Sequence, residues 1–169
     1  HHEQVERAEN RWAPVPIVEE LKVKAKAAGL WNLFLPDSEF GAGLTNYEYA
    51  HLCEVMGRSA MAPEVFNCAA PDDGTMICLN KILKEDQKDR WLQPIVDGTV
   101  RSAFAMTEPM PGSGSDPSSM LTTAENKGGK WIVNGRKWFI TGAEGAQHFI
   151  LIAKTSDHAR KGLTAFLYD

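Results

Sequence analysis

The sequence predicts an α+β protein in which a helical part precedes a β part. Up to Gly98, apolar residues recur at the three- and four-residue spacing of amphipathic helices. Beyond Ser102, short apolar segments of strand length alternate with turns that contain glycine. We therefore expect an N-terminal α-helical domain over residues 1–100 and an antiparallel, barrel-like β domain over residues 101–169.

The composition excludes several classes of function. Of the 169 residues, 43% are hydrophobic and 24% are charged, which is ordinary for a globular protein. The formal net charge is -4 with Lys and Arg spread evenly, so no basic surface for nucleic acid is expected. No apolar run approaches the ~18 residues of a membrane span. The N-terminus lacks the layout of a secretory signal, so we expect a bacterial cytoplasmic or a mitochondrial matrix protein.

The cysteines indicate reduced thiols rather than a disulfide framework. Cys53, Cys68 and Cys78 are an odd number and lie on helix-like segments. His51 and Cys53 are two residues apart, but no second ligand pair with suitable spacing follows them. We therefore expect no metal site.

The first helix with a clear apolar repeat is predicted over Val15–Ala28. Its apolar positions at helical spacing are Ile17, Leu21, Ala25 and Ala28. Gly29 is placed to end this helix in the left-handed conformation. Residues 3–12 are charged and also permit a helix, whereas residues 30–36 are expected to be extended and buried.

A second helix is predicted after Thr45, which is a natural N-cap with Glu48 completing a capping box. This helix should end at Gly57, and its buried face is expected to comprise Leu52, Val55 and Met56. A third helix should begin near Asp72. Its inward residues are expected to be Met76, Leu79, Ile82 and Leu83. A short fourth helix is predicted over Glu85–Leu92, before Pro94 interrupts the pattern.

The β part is expected to contain several short strands. Residues 102–107 have the apolar, non-periodic pattern of a buried strand, and residues 148–154 and 163–168 form two more. Two glycine turns indicate hairpins. Gly128-Gly129 separates residues 121–125 from 131–133, and Asn134-Gly135 separates residues 131–133 from 136–140. So few strands leave open sheet edges, so we expect further C-terminal sequence or a partner chain to cover them.

A strand end followed by a small-residue loop is the candidate binding feature of the chain. Phe104–Pro109 leads into Gly112–Asp116, where backbone amides and glycines suit an anionic or polar cofactor. If the strands are neighbours, the hydroxyls of Thr107, Ser115 and Thr141 converge on one flat ligand. Nearby apolar surface would come from Phe104, Met106, Trp138 and Phe139. The pattern alone favours the plainer alternative, in which these residues form sheet core followed by a turn.

Glu108 is the one carboxylate within Phe104–Pro109, which makes it a candidate general base. The alternative is that Glu108 fixes the turn or pairs with a cation. Because no second carboxylate or histidine is placed to support catalysis, the structural role is favoured. Asp116 is expected to cap amides of the loop.

Taken together, these segments resemble the acyl-CoA dehydrogenase family. Phe104–Pro109 followed by Gly112–Asp116 is similar to the family's flavin signature, a Thr-Glu-Pro and then Gly-x-Gly-Ser-Asp. Asn134–Thr141 is similar to a second signature, Asn-Gly-x-Lys with an aromatic pair and Ile-Thr. Leu35–Thr45 and Gln87–Gly98 match the helical half, so the resemblance covers nearly the whole chain.

The resemblance implies FAD bound between the β domain and a C-terminal helical bundle that residues 1–169 do not include. Carried over by position, the cofactor-binding residues would be Phe104, Met106, Thr107, Gly112, Gly114, Ser115, Phe139, Ile140 and Thr141. Ser115 would also lie near the acyl-CoA substrate. In such enzymes the catalytic base is a Glu of the C-terminal bundle, so no catalytic residue is expected in this chain.

The implied function is α,β-desaturation of an acyl-CoA thioester in fatty acid β-oxidation, with removal of the α proton and hydride transfer to flavin N5. The implied partners are an electron-transfer flavoprotein and further copies of the chain in a homodimer or homotetramer. Alternatives on the same fold are an acyl-CoA oxidase, a flavin monooxygenase, or a non-catalytic fragment that binds acyl-CoA or flavin. The chain departs from the family pattern at the inserted Met110-Pro111 and at Phe139, where most members have Trp.

Overall fold

The computed structural model describes residues 13–36, 39–158 and 161–169. The chain divides into two compact units, His1–Arg101 and Ser102–Asp169. Helices fill the first unit and strands dominate the second, which confirms the predicted α+β order. The predicted helix over residues 3–12 lies outside the described residues. Among the residues described, no helix has the length and apolar character needed to cross a membrane.

Six helices are described in the first unit. In chain order they are α1 Pro16–Ala27, α2 Asn46–Met56, α3 Ala62–Val65, α4 Asp72–Ile82, α5 Glu85–Trp91 and α6 Gln93–Val96. The predicted left-handed end of α1 is confirmed, because Gly29 has φ +71°. The predicted capping box of α2 is also confirmed. Thr45 Oγ1 accepts from the Glu48 amide at 3.3 Å, and Glu48 Oε2 accepts from the Thr45 amide at 2.8 Å.

Three expectations for the helical unit were wrong. Residues 30–36 are buried in part but form bends and turns rather than an extended segment. Val55 on α2 and Ile82 on α4 were expected inward, yet each is 59% exposed. Helical spacing shows which face of a helix is apolar, but it does not show what covers that face. Met56, Met76 and Leu79 are buried as expected.

A pair of buried asparagines fixes the loops of the helical unit. Asn32 and Asn67 are 1% and 8% exposed and have φ of +53° and +55°, a region that asparagine tolerates better than most residues. Asn67 Nδ2 donates to Asn32 Oδ1 at 2.7 Å and to the Ile95 carbonyl at 3.0 Å. Asn32 Nδ2 donates to the carbonyls of Phe40 and Val96, each at 3.0 Å. Two amide side chains thus hold the loops around Asn32 and Asn67 to each other and to the end of α6.

The sheet of the second unit has β4 at its centre. Its strands are β1 Ser102–Ala105, β2 Thr123–Lys127, β3 Lys130–Asn134, β4 His148–Lys154 and β5 Leu163–Tyr168, with a 3₁₀ turn at Pro117–Ser119. β5 pairs antiparallel with β4 from Phe149↔Tyr168 to Lys154↔Leu163. β1 pairs parallel with β4 from Ser102↔His148 to Ala105↔Leu151. β2 joins β4 in parallel at Thr123↔Lys154. Because β5 occupies one edge of β4, β1 and β2 follow each other along the other edge.

The strand pairings correct the expectation of an antiparallel, barrel-like domain. Two of the four pairings are parallel, and no pairing among the described strands closes the sheet. The strands over residues 148–154 and 163–168 are confirmed, whereas the strand predicted over 102–107 ends at Ala105. β1 reaches β4 only after a long connection, which the sequence pattern does not reveal.

One of the two predicted hairpins is confirmed. β2 and β3 pair antiparallel around Gly128 and Gly129, which have φ of +63° and +83°. The hairpin predicted at Asn134-Gly135 is wrong, because residues 135–140 form no strand. A Cβ on Gly135 would overlap the Thr122 side chain. This glycine therefore permits a close approach to Thr122 rather than a tight turn.

Replacing Asn67 should destabilise the helical unit. In Asn67→Ala, the acceptors on Asn32 and Ile95 lose their donor and the backbone keeps an unfavourable positive φ, so the free energy of unfolding should fall by about 2–4 kcal/mol. Asn67→Gly tolerates the positive φ, so it should lose only the part of the free energy of unfolding that comes from the hydrogen bonds. Asn46→Ala, at an exposed position, is the control and should change the free energy of unfolding by less than ~0.5 kcal/mol. Urea titration measures all three, and equal stability of Asn67→Ala and wild type would contradict the role of the pair.

Candidate functional site

The structure brings the two motif segments of the β unit together. After β1 ends at Ala105, the chain continues through Met106–Glu108, called here the strand end. Residues 137–141, called the 137–141 segment, lie beside it. The Trp138 amide donates to the Thr107 carbonyl at 3.1 Å, and Lys137 Nζ donates to the Met106 carbonyl at 2.8 Å. The segments that carry Thr107 and Thr141 are therefore neighbours, which the sequence analysis required for their hydroxyls to converge on one ligand.

Glu108 is a structural carboxylate. It is 2% exposed, and each of its oxygens accepts two hydrogen bonds. Oε1 accepts from the Thr122 amide at 2.7 Å and from Lys137 Nζ at 3.1 Å. Oε2 accepts from the amides of Leu121 at 2.8 Å and Ser113 at 3.2 Å. With four donors in place, the carboxylate holds the loop and pairs with a cation, as the favoured alternative predicted.

The charge of Glu108 is stabilised despite its burial. Desolvation raises the pKa of this carboxyl, but hydrogen bonds from Leu121, Thr122 and Lys137 outweigh desolvation and lower the pKa from 4.5 to about 2. A base with so low a pKa is a poor proton acceptor near neutral pH. Both geometry and charge state therefore argue against catalysis by Glu108.

Lys137 joins the strand end to the 137–141 segment. Its side chain is 9% exposed, and Nζ contacts the Met106 carbonyl, Glu108 Oε1 and, at 3.5 Å, Met120 Sδ. Desolvation lowers the pKa of Lys137, and the Glu108 charge opposes that effect. Sequence reasoning did not select Lys137. The available signal was a lysine next to the apolar residues Trp138, Phe139 and Ile140 of the same motif.

The glycine-serine loop folds back on Glu108. The Glu108 amide donates to the Gly114 carbonyl at 3.1 Å, and the Gly112 amide donates to the Pro109 carbonyl at 2.7 Å. A Cβ on Gly112 would lie 2.6 Å from Glu108 Oε2, so a side chain there would collide with the carboxylate. Gly114 has φ +57°. As expected, Asp116 caps an amide, since its Oδ1 accepts from Ser118 N at 2.9 Å.

Exposed aromatic rings and hydroxyls surround the strand end. The rings of Trp138 and Phe139 are 4.5 Å apart, and Phe139 is 82% exposed with φ +50°, which is uncommon for a bulky residue. Phe104 is 39% exposed. Within the described residues, the hydroxyls of Thr107 and Thr141 form no hydrogen bond to protein atoms. Apolar surface and free hydroxyls are thus available, while the cofactor roles assigned by resemblance stay predictions.

A cavity of about 340 Å³ lies on one face of the sheet. It is lined by Ala105, Thr122, Val133, Gly135, Lys137, Ile140, Ala143, Phe149, Leu151 and Tyr168. Ala105 is paired with Leu151, and alternation along β1 turns Phe104 to the opposite face. Of the predicted site residues, only Ile140 lines this cavity. The structure therefore separates the cavity from Phe104.

Neutralising Glu108 should destabilise the β unit and flatten its acid response. In Glu108→Gln, an amide NH₂ would face backbone donors and Lys137 would lose its counter-charge, so the free energy of unfolding at pH 7 should fall by about 3 kcal/mol. Because the folded pKa of Glu108 is depressed, its stabilisation is present above pH 4.5 and is lost as the pH falls towards 2. Urea titrations between pH 7 and pH 2 should therefore show a shallower acid slope for the variant.

The matched control is Glu125→Gln on β2, where the carboxylate is largely exposed beside Lys127. Its stability should change by less than ~0.5 kcal/mol, and its acid slope should equal that of the wild type. If Glu108→Gln behaved like this control, the stabilising role assigned to Glu108 would be wrong.

Comparison with known proteins gives a consistent family. The family model "Acyl-CoA dehydrogenase, N-terminal domain" matches residues 1–99, and "Acyl-CoA dehydrogenase, middle domain" matches residues 103–169. The mouse protein "Acyl-CoA dehydrogenase family member 10" is 53% identical over 138 residues, which cover 79% of this chain and 13% of that protein.

Two solved structures extend the likeness to the fold. A structure from Mycobacterium abscessus, assigned as an acyl-CoA dehydrogenase, has a TM-score of 0.88 and 44% identity, covering 99% of this chain and 43% of that one. "PigA with FAD and proline" has a TM-score of 0.61 and 31% identity, and the match covers 90% of this chain and 39% of that one. The chain thus spans less than half the length of these proteins. With both family models matched in order along its length, the chain belongs to the acyl-CoA dehydrogenase family.

Proposed function

We propose that the complete gene product carrying this chain is an FAD-dependent dehydrogenase that α,β-desaturates an acyl-CoA thioester. The observation that carries the proposal is the junction of the strand end with the 137–141 segment through Lys137. That junction places Thr107 and Phe139–Thr141 on adjacent stretches of backbone. Membership of the family and the FAD named for the PigA structure support the choice of cofactor.

The residues present fit a flavin. A flat aromatic ring system needs apolar surface against its face and hydrogen-bonding groups at its edge. Phe139 offers an exposed ring, and the hydroxyls of Thr107 and Thr141 have no protein partner within the described residues. The residues proposed to hold the ring are Phe104, Met106, Thr107, Phe139, Ile140 and Thr141. The phosphate side would be held by Gly112, Gly114 and Ser115, with Ser115 also near the acyl-CoA.

Bound FAD supplies the acceptor for the hydride that leaves the β carbon of the substrate. The chain's own residues would bind the cofactor and orient it. Thr107 and Thr141 would fix the position of the cofactor edge, and Phe139 would exclude water from its face. Because all four hydrogen bonds to Glu108 are structural, we propose that the base for the α proton is a carboxylate outside residues 1–169.

The wider setting follows from this chemistry. Electrons held on a reduced cofactor must pass to an acceptor, and we propose an electron-transfer flavoprotein. We also propose a role in fatty acid β-oxidation, assembly as a homodimer or homotetramer, and a location in the bacterial cytoplasm or the mitochondrial matrix. Each of these can be examined on the complete protein without altering the site.

The complete gene product should be purified with the visible absorbance of a bound oxidised flavin. It should oxidise acyl-CoA substrates in the presence of a dye acceptor without forming peroxide. Peroxide production in air would instead indicate an oxidase or monooxygenase. Absence of bound flavin, together with failure to take up added FAD, would overturn the proposal and leave a non-catalytic binding protein.

Removing the Thr141 hydroxyl should change the flavin environment. In the complete protein, Thr141→Ala should shift the flavin absorbance and lower kcat/KM by roughly five- to tenfold, the effect of losing about one hydrogen bond. Ser156→Ala, on an exposed loop between β4 and β5, is the matched control and should leave both unchanged. An unaltered spectrum and rate in Thr141→Ala would contradict the placement of this residue at the cofactor.

A further inference from the structure

We propose that Lys137 is a positioning residue, whose ammonium group fixes the 137–141 segment, and with it Phe139, against the strand end. The proposal rests on the proposed flavin site and assigns a specific role within it. Lys137 does not contact the reacting atoms in this account. It acts through the backbone of the residues that would hold the cofactor.

The first argument is that the 137–141 segment lacks regular secondary structure. Residues 135–140 form neither helix nor strand, and turns follow from Thr141. In the described part of the chain, one backbone hydrogen bond ties this segment to the strand end, from the Trp138 amide to the Thr107 carbonyl at 3.1 Å. A single such bond does not fix both the position and the direction of five residues. A side-chain tie is needed.

The second argument is that Lys137 supplies this tie with all of its donors used. The Met106 carbonyl, Glu108 Oε1 and Met120 Sδ lie 2.8, 3.1 and 3.5 Å from Nζ. An ammonium has three donors, so the group is saturated. Its three partners come from two stretches of chain, the strand end and the residue after the 3₁₀ turn. The two oxygen acceptors on the strand end carry the tie, because a thioether sulfur is only a weak acceptor.

The third argument is that the anchor is itself immobile. Beyond Lys137, the Glu108 carboxylate accepts from three backbone amides, those of Ser113, Leu121 and Thr122. A buried carboxylate held by main-chain donors cannot follow a moving lysine. The restraint therefore passes from the main chain through Glu108 to Lys137.

The fourth argument is the conformation that the restraint maintains. Phe139 has φ +50° and is 82% exposed, so neither its own packing nor intrinsic preference explains its backbone. Uncommon backbone angles persist where the surroundings impose them, and they concentrate at functional sites. Lys137 and Trp138 are the two preceding residues, and both are bonded to the strand end. The geometry thus indicates that Phe139 is held in place by its neighbours.

The test compares Lys137→Met with two matched controls in the complete gene product. Lys130→Met removes an exposed lysine from β3, and Met120→Leu removes the sulfur contact but leaves both oxygen acceptors of Lys137. The first measurement is hydrogen–deuterium exchange of the flavin-free protein. Lys137→Met should accelerate exchange in peptides covering residues 137–145 and leave those of β4 and β5 unchanged. Neither control should change any of these peptides.

The second measurement is FAD binding by the same flavin-free proteins. Lys137→Met should raise the Kd for FAD by roughly tenfold and shift the spectrum of the bound flavin, whereas the controls should match the wild type. If Lys137→Met loses its far-ultraviolet circular dichroism, Lys137→Gln, which retains a donor, replaces it under the same criteria. Unchanged exchange at 137–145, or acceleration throughout the sheet, would overturn the positioning role. If the wild type itself bound no FAD, the proposed function would fall, and the exchange measurement would still decide the role of Lys137.

Discussion

The β unit depends on one buried carboxylate. Glu108 is nearly inaccessible to solvent, yet it remains charged because main-chain amides and one ammonium surround it. A buried charge is costly unless every lone pair is used, and here each oxygen has two donors. The glycine loop, the chain leading into β2, and the 137–141 segment all meet at this group. All three segments donate hydrogen bonds to the Glu108 carboxylate, so each would lose a partner if the carboxylate moved.

This arrangement explains why the motif contains the residue types it does. Gly112 is required because any side chain would collide with Glu108. Lys137 is required because a buried carboxylate bonded to neutral amides gains further from a full positive charge. Thr107 and Trp138 are bonded through the backbone, so their side chains remain available to the surface. Structural and proposed binding roles therefore fall to different side chains of the same two short segments.

The sequence predicted the parts of the fold that depend on local chemistry. The capping box at Thr45, the left-handed Gly29 and the Gly128-Gly129 hairpin follow from hydrogen bonds or backbone angles within a few residues. Prediction from the sequence failed where the conformation of a residue is set by contacts with residues far away along the chain. Asn134-Gly135 has the composition of a tight turn, but Gly135 is set by contact with Thr122, which no local pattern encodes. The parallel pairing of β1 with β4 and the partner of Lys137 were missed for the same reason.

The position of β1 has a consequence for how the protein folds. β2 with β3 and β4 with β5 are neighbours in sequence, so each pair can form through a short loop. β1 pairs with β4 only after the chain between them has closed into one long loop, and closing such a loop is slow. That loop contains both the strand end and the 137–141 segment. We therefore expect the candidate site to be assembled last, as a product of the final strand docking, while the hairpins that surround it are already formed.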